Sequence, residues 1–218
     1  FNIPPRQVLP QPIQNPPPPL RSACGSDETT RLAGEMGLGA LVGSEGGPEK
    51  VGNLLELYQQ TIKSAKPSTR MVNNQNALMT AGFCHEDPKV IETRGVELVG
   101  WYLEQQRARA RLVCKGVDQS TVPPDYRGYY ERDMRLAAGP HPGEATPQEV
   151  VKQGTSFLVG TPEDCIKFVE SYEAMGVEQV FSLNAIGPES HEETMNTLRT
   201  FGQHVIPYFK DKERAASK

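Results

Sequence analysis

The apolar and polar positions of this chain alternate between short apolar runs and longer stretches with helical spacing. Residues 20–24 form a short run that ends in small side chains, and Leu32 and Met36 follow on one face of a helix. Residues 39–43 form a second buried run, and the helical stretch after it begins at about Pro48. The pattern therefore predicts two successive strand-to-helix units.

The same alternation continues through the second half of the chain. Residues 71–83 predict a third strand, and residues 89–113 predict a long amphipathic helix. Thr161 is a good N-cap for a helix that ends near Gly176, because glycine tolerates the left-handed conformation after a helix. Residues 177–183 then predict another strand.

Both ends of the chain differ from this middle part. Residues 1–19 are rich in proline, which donates no backbone hydrogen bond, and they predict an extended connector; an SH3-type ligand has the same composition. Ser190 and Glu193 form a capping box that begins the last helix, and Pro207 is predicted to end it. The charged residues 210–218 predict a frayed tail.

Helical and strand spacing both fail over residues 115–153, where proline, glycine and tyrosine are frequent. Such a long irregular segment is typical of a functional lid or of disorder. Tyr126, Tyr129 and Tyr130 could cover an apolar ligand, or they could pack the segment onto its own domain. The residues alone leave these alternatives open.

Strands that alternate with helices predict an α/β protein with a parallel sheet. About four strand-helix units are present over residues 20–209, and four units are half of an eightfold barrel. An isolated half would expose a sheet edge and one face, so a partner half is expected. The chain begins with Phe1 and has no signal-peptide pattern, so we expect a processed chain or part of a longer one.

Composition excludes several classes of function. The chain has 218 residues, of which 37% are hydrophobic and 23% charged, as in an ordinary globular protein. Its net charge is -4 and it contains no basic cluster, so a nucleic-acid partner is not expected. Since no apolar run is long enough to span a bilayer, no membrane partner is expected either.

The residue types that bind metals do not occur in a metal-binding pattern. The four cysteines are far apart and include no CxxC pair: Cys24, Cys84, Cys114 and Cys165. Small buried thiols in a reducing cytoplasm are the expected state. The adjacent residues His85, Glu86 and Asp87 cannot easily face one ion, so a polar turn that caps a helix is favoured over a metal site.

The turn at Gly25 and Ser26 is the most promising candidate for a binding site. A helix start offers unpaired N–H groups and the positive end of a dipole, which suit a phosphate. Ser26 is a candidate N-cap, and Thr29 would place its hydroxyl near the same pocket. The simpler interpretation, which these residues alone favour, is that Ser26 only caps a surface helix.

Four segments in order resemble one family: residues 22–42, 54–58, 160–177 and 201–207. Together they are similar to the C-terminal half of the bacterial-luciferase-like flavin monooxygenases, and the resemblance covers nearly the whole chain. It implies a TIM-type (β/α)8 barrel, of which this chain would form the second half. The N-terminal half of the barrel, or a second copy of the chain, is then the expected partner.

The resemblance also implies the chemistry. Members of the family use reduced FMN, or the deazaflavin F420 in sister groups, and the FMN members oxidise a small organic substrate with O2 in the cytoplasm. A flavin reductase is a further implied partner. The alternatives are an F420-dependent oxidoreductase, a non-catalytic flavin-binding or subunit-like truncated homologue, and an unstable fragment without activity.

The family contacts the flavin phosphate with the turn after its fifth strand, and this role falls on Gly25, Ser26 and Thr29. The luciferase itself has an acidic residue where this chain has Gly25. The residues that lie near the reactive flavin carbon belong to the first four strands, so no catalytic residue is assigned here, and no metal is implied. The family's lid corresponds to residues 115–153, which makes Tyr126, Tyr129 and Tyr130 candidate lid contacts.

Overall fold

The computed structural model describes residues 4–5, 7, 9–67 and 71–216. Within them, five strands are present: β1 (Arg21–Cys24), β2 (Gly39–Gly43), β3 (Asn76–Cys84), β4 (Leu158–Gly160) and β5 (Val180–Leu183). The α-helices of the same residues are α1 (Asp27–Glu35), α2 (Gly47–Thr61), α3 (Pro88–Val90), α4 (Val96–Cys114), α5 (Arg127–Ala137), α6 (Pro147–Gln153), α7 (Pro162–Glu173), α8 (His191–Thr200) and α9 (Ile206–Ala216). Two π-helical segments, Ile91–Gly95 and Phe201–Val205, join α3 to α4 and α8 to α9.

The chain divides into two compact units. The first contains the described residues up to Met79 together with Glu173–Phe181, and the second contains Thr80–Tyr172 and the described residues from Ser182 onward. Strand β3 contributes its first four residues to the first unit and its last five to the second.

A parallel sheet forms the centre of the first unit. Strand β1 pairs with β2, with Cys24 opposite Val42, and β2 pairs with β3, with Val42 opposite Leu78. The three side chains are buried, and α1 and α2 connect successive strands, because parallel strands need a crossover. This arrangement confirms the first two predicted strand-to-helix units and the parallel α/β class.

Helix α2 buries one face against this sheet and α1. Its buried side chains, Val51, Leu54, Leu55 and Tyr58, recur at helical spacing. Each such side chain stabilises the fold by roughly 1.5–3 kcal/mol relative to an exposed one. Helix α1 approaches α2 closely at Gly34. A Cβ at this position would overlap the hydroxyl of Thr61.

Side chains join the amino-terminal ends of the strands to the backbone around them. The Nδ2 atom of Asn73 donates to the Leu20 carbonyl at 2.8 Å, just before β1. The hydroxyl of Tyr58 donates to the carbonyls of Leu38 at 3.1 Å and Asn73 at 3.0 Å. These bonds connect the starts of β1, β2 and β3.

The first residue of β3, Asn76, carries three more hydrogen bonds. Its side chain donates to the Gly176 carbonyl at 2.9 Å and accepts the Glu178 backbone N–H at 3.1 Å. Its own N–H donates to the Glu178 carboxylate at 2.9 Å. Asn76 is buried, so these partners satisfy polar groups that water does not reach.

The second unit has its own core around the rest of β3. Strand β4 pairs with β3 in parallel, with Cys84 opposite Gly160. Side chains of β3, β4 and α4 form the buried cluster, which includes Phe83, Leu98 and Val159. Phe83 and Val159 face α4, whereas the next residue, Cys84, contacts Thr197 of α8 through its backbone at 3.4 Å.

Helices α4 and α5 form a hairpin that is held by a nearly buried carboxylate. Asp133 on α5 is 5% exposed, and the guanidinium of Arg109 on α4 lies 3.2 Å from it. Arg132 contacts the same carboxylate at 3.0 Å. Removing both arginines would leave this buried carboxylate uncompensated.

The prediction that residues 115–153 are irregular was wrong. The segment predicted to be irregular contains α5 and α6, and β4 was not predicted. Helix α6 begins with a capping box between Thr146 and Glu149, with Pro147 at the first position. This is the same pattern that correctly located the start of the next helix at Thr161.

The prediction that Pro207 ends the last helix was also wrong. Helix α9 contains Pro207 as its second residue, directly after the π-helical segment, and it continues to Ala216. The π turns directly before it already interrupt the regular bonds between each N–H and the carbonyl four residues earlier, so the helix accommodates a residue without an N–H there. The described part of the tail from residue 210 is therefore helical and not frayed; residues 217 and 218 lie outside the described residues.

The proline-rich lead-in has the predicted character over the part that the structure describes. Residues 9–20 contain neither helix nor strand and are mostly exposed. The prediction also covers residues 1–3, 6 and 8, which lie outside the described residues. No helix among the described residues is long and apolar enough to cross a membrane.

Candidate functional site

The turn between β1 and α1 contains the three predicted cofactor-binding residues. Ser26 is the N-cap of α1, and its hydroxyl accepts the backbone N–H of Thr29 at 3.3 Å. Serine is favoured at this position because its short side chain reaches the amide three residues further on. Gly25 lies directly before it, at the carboxyl end of β1. The structure thus brings Gly25, Ser26 and Thr29 together.

The hydroxyl of Thr29 holds this turn in shape. It accepts the backbone N–H groups of Gly25 and Ser26, both at 3.2 Å, and donates to the Ser26 carbonyl at 3.0 Å. The amides of Asp27 and Glu28 occupy the first two helical positions, which have no intrahelical acceptor. These two amides are the donors that the turn offers to a ligand. The Ser26 hydroxyl lies 3.1 Å from the Thr29 hydroxyl and can donate to a ligand only by giving up that bond.

An open cavity of about 250 Å³ lies beside this turn. Its walls come from the start of α1 and the first half of α2: Ser26, Asp27, Gly46, Glu49, Lys50, Asn53 and Leu54. Both walls follow the carboxyl ends of neighbouring parallel strands, the edge at which α/β proteins bind ligands. The volume of the cavity has room for a phosphate group and lies below the roughly 300–1,000 Å³ that is typical of sites for whole small molecules.

Lys50 is the basic residue among those that line the cavity. It lies in the first turn of α2, where its stem packs against Gly46. Two acidic residues, Asp27 and Glu49, line the same cavity and oppose an anion. A phosphate would therefore bind through local hydrogen bonds and the Lys50 charge, because the surroundings as a whole are not basic.

Gly25 and Cys24, the two residues before Ser26, determine how open and how reactive the turn is. A Cβ added to Gly25 would meet no atom within 4 Å, so packing does not require glycine here and the backbone is open to a ligand. Cys24 is 1% exposed, and burial raises the pKa of its thiol. The Cys24 thiol therefore stays protonated near neutral pH and is not a nucleophile.

The three tyrosines predicted as lid contacts lie beside or on α5. Tyr126 precedes the helix and is exposed, and the Tyr129 ring lies under the guanidinium of Arg132 at 5.5 Å. The Tyr130 hydroxyl lies 3.5 Å from the Val117 carbonyl. Tyr129 and Tyr130 thus contact their own segment of the chain, whereas Tyr126 is exposed.

Sequence reasoning missed Lys50, although a signal for it was present. Lysine 50 occurs soon after the second predicted strand and opens the next helix. In a parallel sheet, two successive strand-to-helix turns lie at the same edge, so Lys50 could have been placed near Ser26. The polar turn at residues 85–87 caps a helix, as predicted: Asp87 caps α3 by accepting the Lys89 N–H at 2.9 Å.

Residues 1–179 match the family model of the luciferase-like monooxygenases. No curated protein of similar sequence was found. Among solved structures, a monooxygenase from Streptomyces bottropensis is 20% identical with a TM-score of 0.58, and the match covers 92% of this chain and 51% of that protein.

Two further structures share the fold. The oxygenating constituent of 3,6-diketocamphane monooxygenase from Pseudomonas putida, in complex with FMN, is 18% identical with a TM-score of 0.55, over 88% of this chain and 49% of that one. The coenzyme F420-dependent tetrahydromethanopterin reductase from Methanopyrus kandleri is 18% identical with a TM-score of 0.51, over 88% and 51%. The chain thus spans about half the length of these proteins, and its fold corresponds to part of their barrel.

Proposed function

The chain belongs to the luciferase-like monooxygenases, and from this premise we propose that its β1–α1 turn binds the phosphate of a flavin. FMN is the proposed cofactor, and F420 is the alternative because a structural relative depends on it. The reaction we propose for the complete barrel is the oxidation of a small organic substrate with O2. Bound reduced flavin would supply the electrons for that chemistry.

One observation carries the proposal. Ser26 and Asp27 at the start of α1 and Lys50 in the first turn of α2 line one small cavity at the carboxyl ends of β1 and β2. Amides at a helix start and a nearby cation are the groups that commonly hold a phosphate. The open backbone at Gly25 leaves room for the ligand to approach.

Each residue has a separate role in this proposal. Ser26 donates a hydrogen bond through its hydroxyl, Lys50 neutralises one phosphate charge, and Thr29 keeps the turn in shape through its three backbone contacts. Tyr126, Tyr129 and Tyr130 remain proposed lid contacts of the complete barrel. No residue of this chain is assigned a proton-transfer or substrate-oxidising role.

The activity is proposed for a complete barrel and not for this chain alone. The structural relatives are about twice as long as the matched region, so we propose that further strands, or a second copy of the chain, complete the site. A flavin reductase would supply reduced cofactor. A flavin-binding protein without its own catalysis would contain the same turn, and only an activity measurement on the completed barrel distinguishes the two.

The proposal is tested by titrating the chain with FMN, riboflavin and F420 while following fluorescence. FMN and riboflavin differ by the phosphate, so we expect FMN to bind about tenfold more tightly. Ser26→Ala and Lys50→Ala should each weaken FMN binding about fivefold and leave riboflavin binding unchanged. Inorganic phosphate should compete with FMN.

Matched control variants separate binding from stability. Ser190→Ala removes an equivalent N-cap and capping box from α8, and Lys63→Ala removes an exposed lysine that does not line the cavity. Neither control should change FMN affinity. Equal affinities for FMN and riboflavin, or equal losses in the controls and in the Ser26 and Lys50 variants, would contradict the proposed phosphate site.

A further inference from the structure

A second and larger cavity, of about 730 Å³, lies entirely within the second unit. Its walls come from the segment around the first π-helical turns, from α6, and from the start of α7. Volumes between 300 and 1,000 Å³, or thereabouts, are typical of sites for small molecules. Nothing in the proposed flavin site uses this cavity.

One wall of the cavity is a π-helical segment, Ile91–Gly95, which supplies Ile91 and Glu92 to the lining. A π-helix is rare, and single π turns within α-helices are found mostly at functional sites. The segment packs closely on β4 at Gly95, where a Cβ would lie 3.1 Å from the side chain of Val159. The irregular turn and the cavity are independent features that occur at the same place.

The lining combines an apolar surface with charges that cancel. Val96 and Val151 are half-buried and supply apolar surface, whereas Ile91, which is 6% exposed, adds little. The charged side chains are two acidic and two basic: Glu92, Asp164, Lys152 and Lys167. A ligand with a net charge would be attracted by one pair and repelled by the other, whereas an uncharged ligand loses little on leaving water.

Two of these charged groups already have partners. Lys167 forms an ion pair with Glu163 at 2.7 Å, and the Asp164 carboxylate accepts the Thr161 backbone N–H at 3.1 Å. Their charges are thus partly satisfied within α7. This leaves the apolar surface as the main source of affinity for a ligand.

We propose that this cavity binds a small uncharged organic molecule with an apolar body. The expected ligand is of the size and polarity of a medium-length ketone or alcohol. The site is separate from the flavin-phosphate turn, and its existence does not depend on flavin binding. It would give the second unit a ligand of its own.

The test is a fluorescence titration of the chain with 1-aminoanthracene, an uncharged aromatic probe. One site per chain is expected. Val151→Trp fills the cavity and Lys152→Trp covers its exposed rim, and each should weaken binding about tenfold. The controls Val117→Trp and Lys115→Trp place the same side chain on exposed positions outside the cavity and should leave affinity unchanged.

Competition tests the charge argument. 2-Octanone should displace the probe about tenfold more effectively than octanoate or octylammonium, which share its chain length and carry opposite charges. Equal displacement by either ion overturns the proposal for an uncharged ligand. Unchanged probe binding in both Val151→Trp and Lys152→Trp overturns the site itself. FMN titration of the same variants, which should be unaltered, keeps this result separate from the flavin proposal.

Discussion

The two ends of the strands in the first unit differ in how their polar groups are satisfied. At the amino-terminal end, the buried side chains of Tyr58, Asn73 and Asn76 make hydrogen bonds to backbone groups. At the carboxyl-terminal end, Ser26 and Lys50 border an open cavity. Strands β1 and β2 therefore begin beside a closed hydrogen-bond network and end beside an open cavity.

This difference separates stability from binding along one sheet. In barrel enzymes the carboxyl ends of the strands carry the active site, whereas the opposite ends serve stability. Substitutions at the amino-terminal end should therefore lower the free energy of unfolding. Substitutions at the carboxyl-terminal end should change flavin affinity and leave most of the stability intact.

The largest effect is expected from Asn76→Ala. The substitution removes the buried Asn76 side chain and, with it, the partner of the Gly176 carbonyl and of the Glu178 N–H, which should lower the free energy of unfolding by about 3 kcal/mol. Urea unfolding followed by circular dichroism measures the change. Asn53→Ala, at an exposed position of α2, is the matched control, and an equal loss there would contradict the asymmetry.

A pair of glycine substitutions compares the two ends directly. A Cβ at Gly39 would lie 2.6 Å from the Gln75 carbonyl oxygen and 2.8 Å from the Arg21 side chain, so Gly39→Ala should cost about 2 kcal/mol. Gly25→Ala meets no atom within 4 Å and should leave the melting temperature unchanged. If the two variants were equally stable, the amino-terminal end would not be the more tightly packed one.

The smallest effect concerns the Tyr58 hydroxyl and its dependence on pH. Burial raises the pKa of Tyr58 to about 12, above its usual value of about 10. The protonated hydroxyl thus stabilises the fold below pH 10, and this contribution is lost as the pH rises from about 10 to 12. At pH 7, Tyr58→Phe should cost about 1 kcal/mol, because two accepting carbonyls lose their donor.

Measuring unfolding between pH 8 and about pH 12 checks the direction of this effect. Tyr172, whose pKa burial also raises to about 12, contributes in the same range, so Tyr58→Phe should reduce the loss of stability without abolishing it. Tyr172→Phe is the matching variant in the second unit. A pH profile unchanged by Tyr58→Phe would show that this hydroxyl is not protected from water.

The parts of the fold that depend on neighbouring residues could be predicted from sequence. The capping turn at Ser26 and the strand at residues 39–43 follow from local spacing and side-chain chemistry. Strand β4 has only three residues, too few for a spacing to be recognised. Helix α5 depends on the ion pair between Asp133 and Arg109, which lies on another helix.

The same distinction applies to the candidate site. Gly25, Ser26 and Thr29 were found because they are close in sequence, and the site residue Lys50 was missed because it belongs to the next strand-to-helix unit. The bonds of Thr29 could not be predicted, because its type and position suit both a ligand contact and a turn-stabilising role. Only the geometry shows that its hydroxyl is engaged by the turn.

The bonds of Asn76 also have a consequence for the order of events during synthesis. Asn76 and Glu178 are 102 residues apart, and the whole of α4 to α6 is translated between them. At roughly 5–20 residues per second, several seconds pass between the synthesis of β3 and the synthesis of these partners. The hydrogen bonds between Asn76 and residues 176–178 are therefore among the last in the first unit to form as the chain is made.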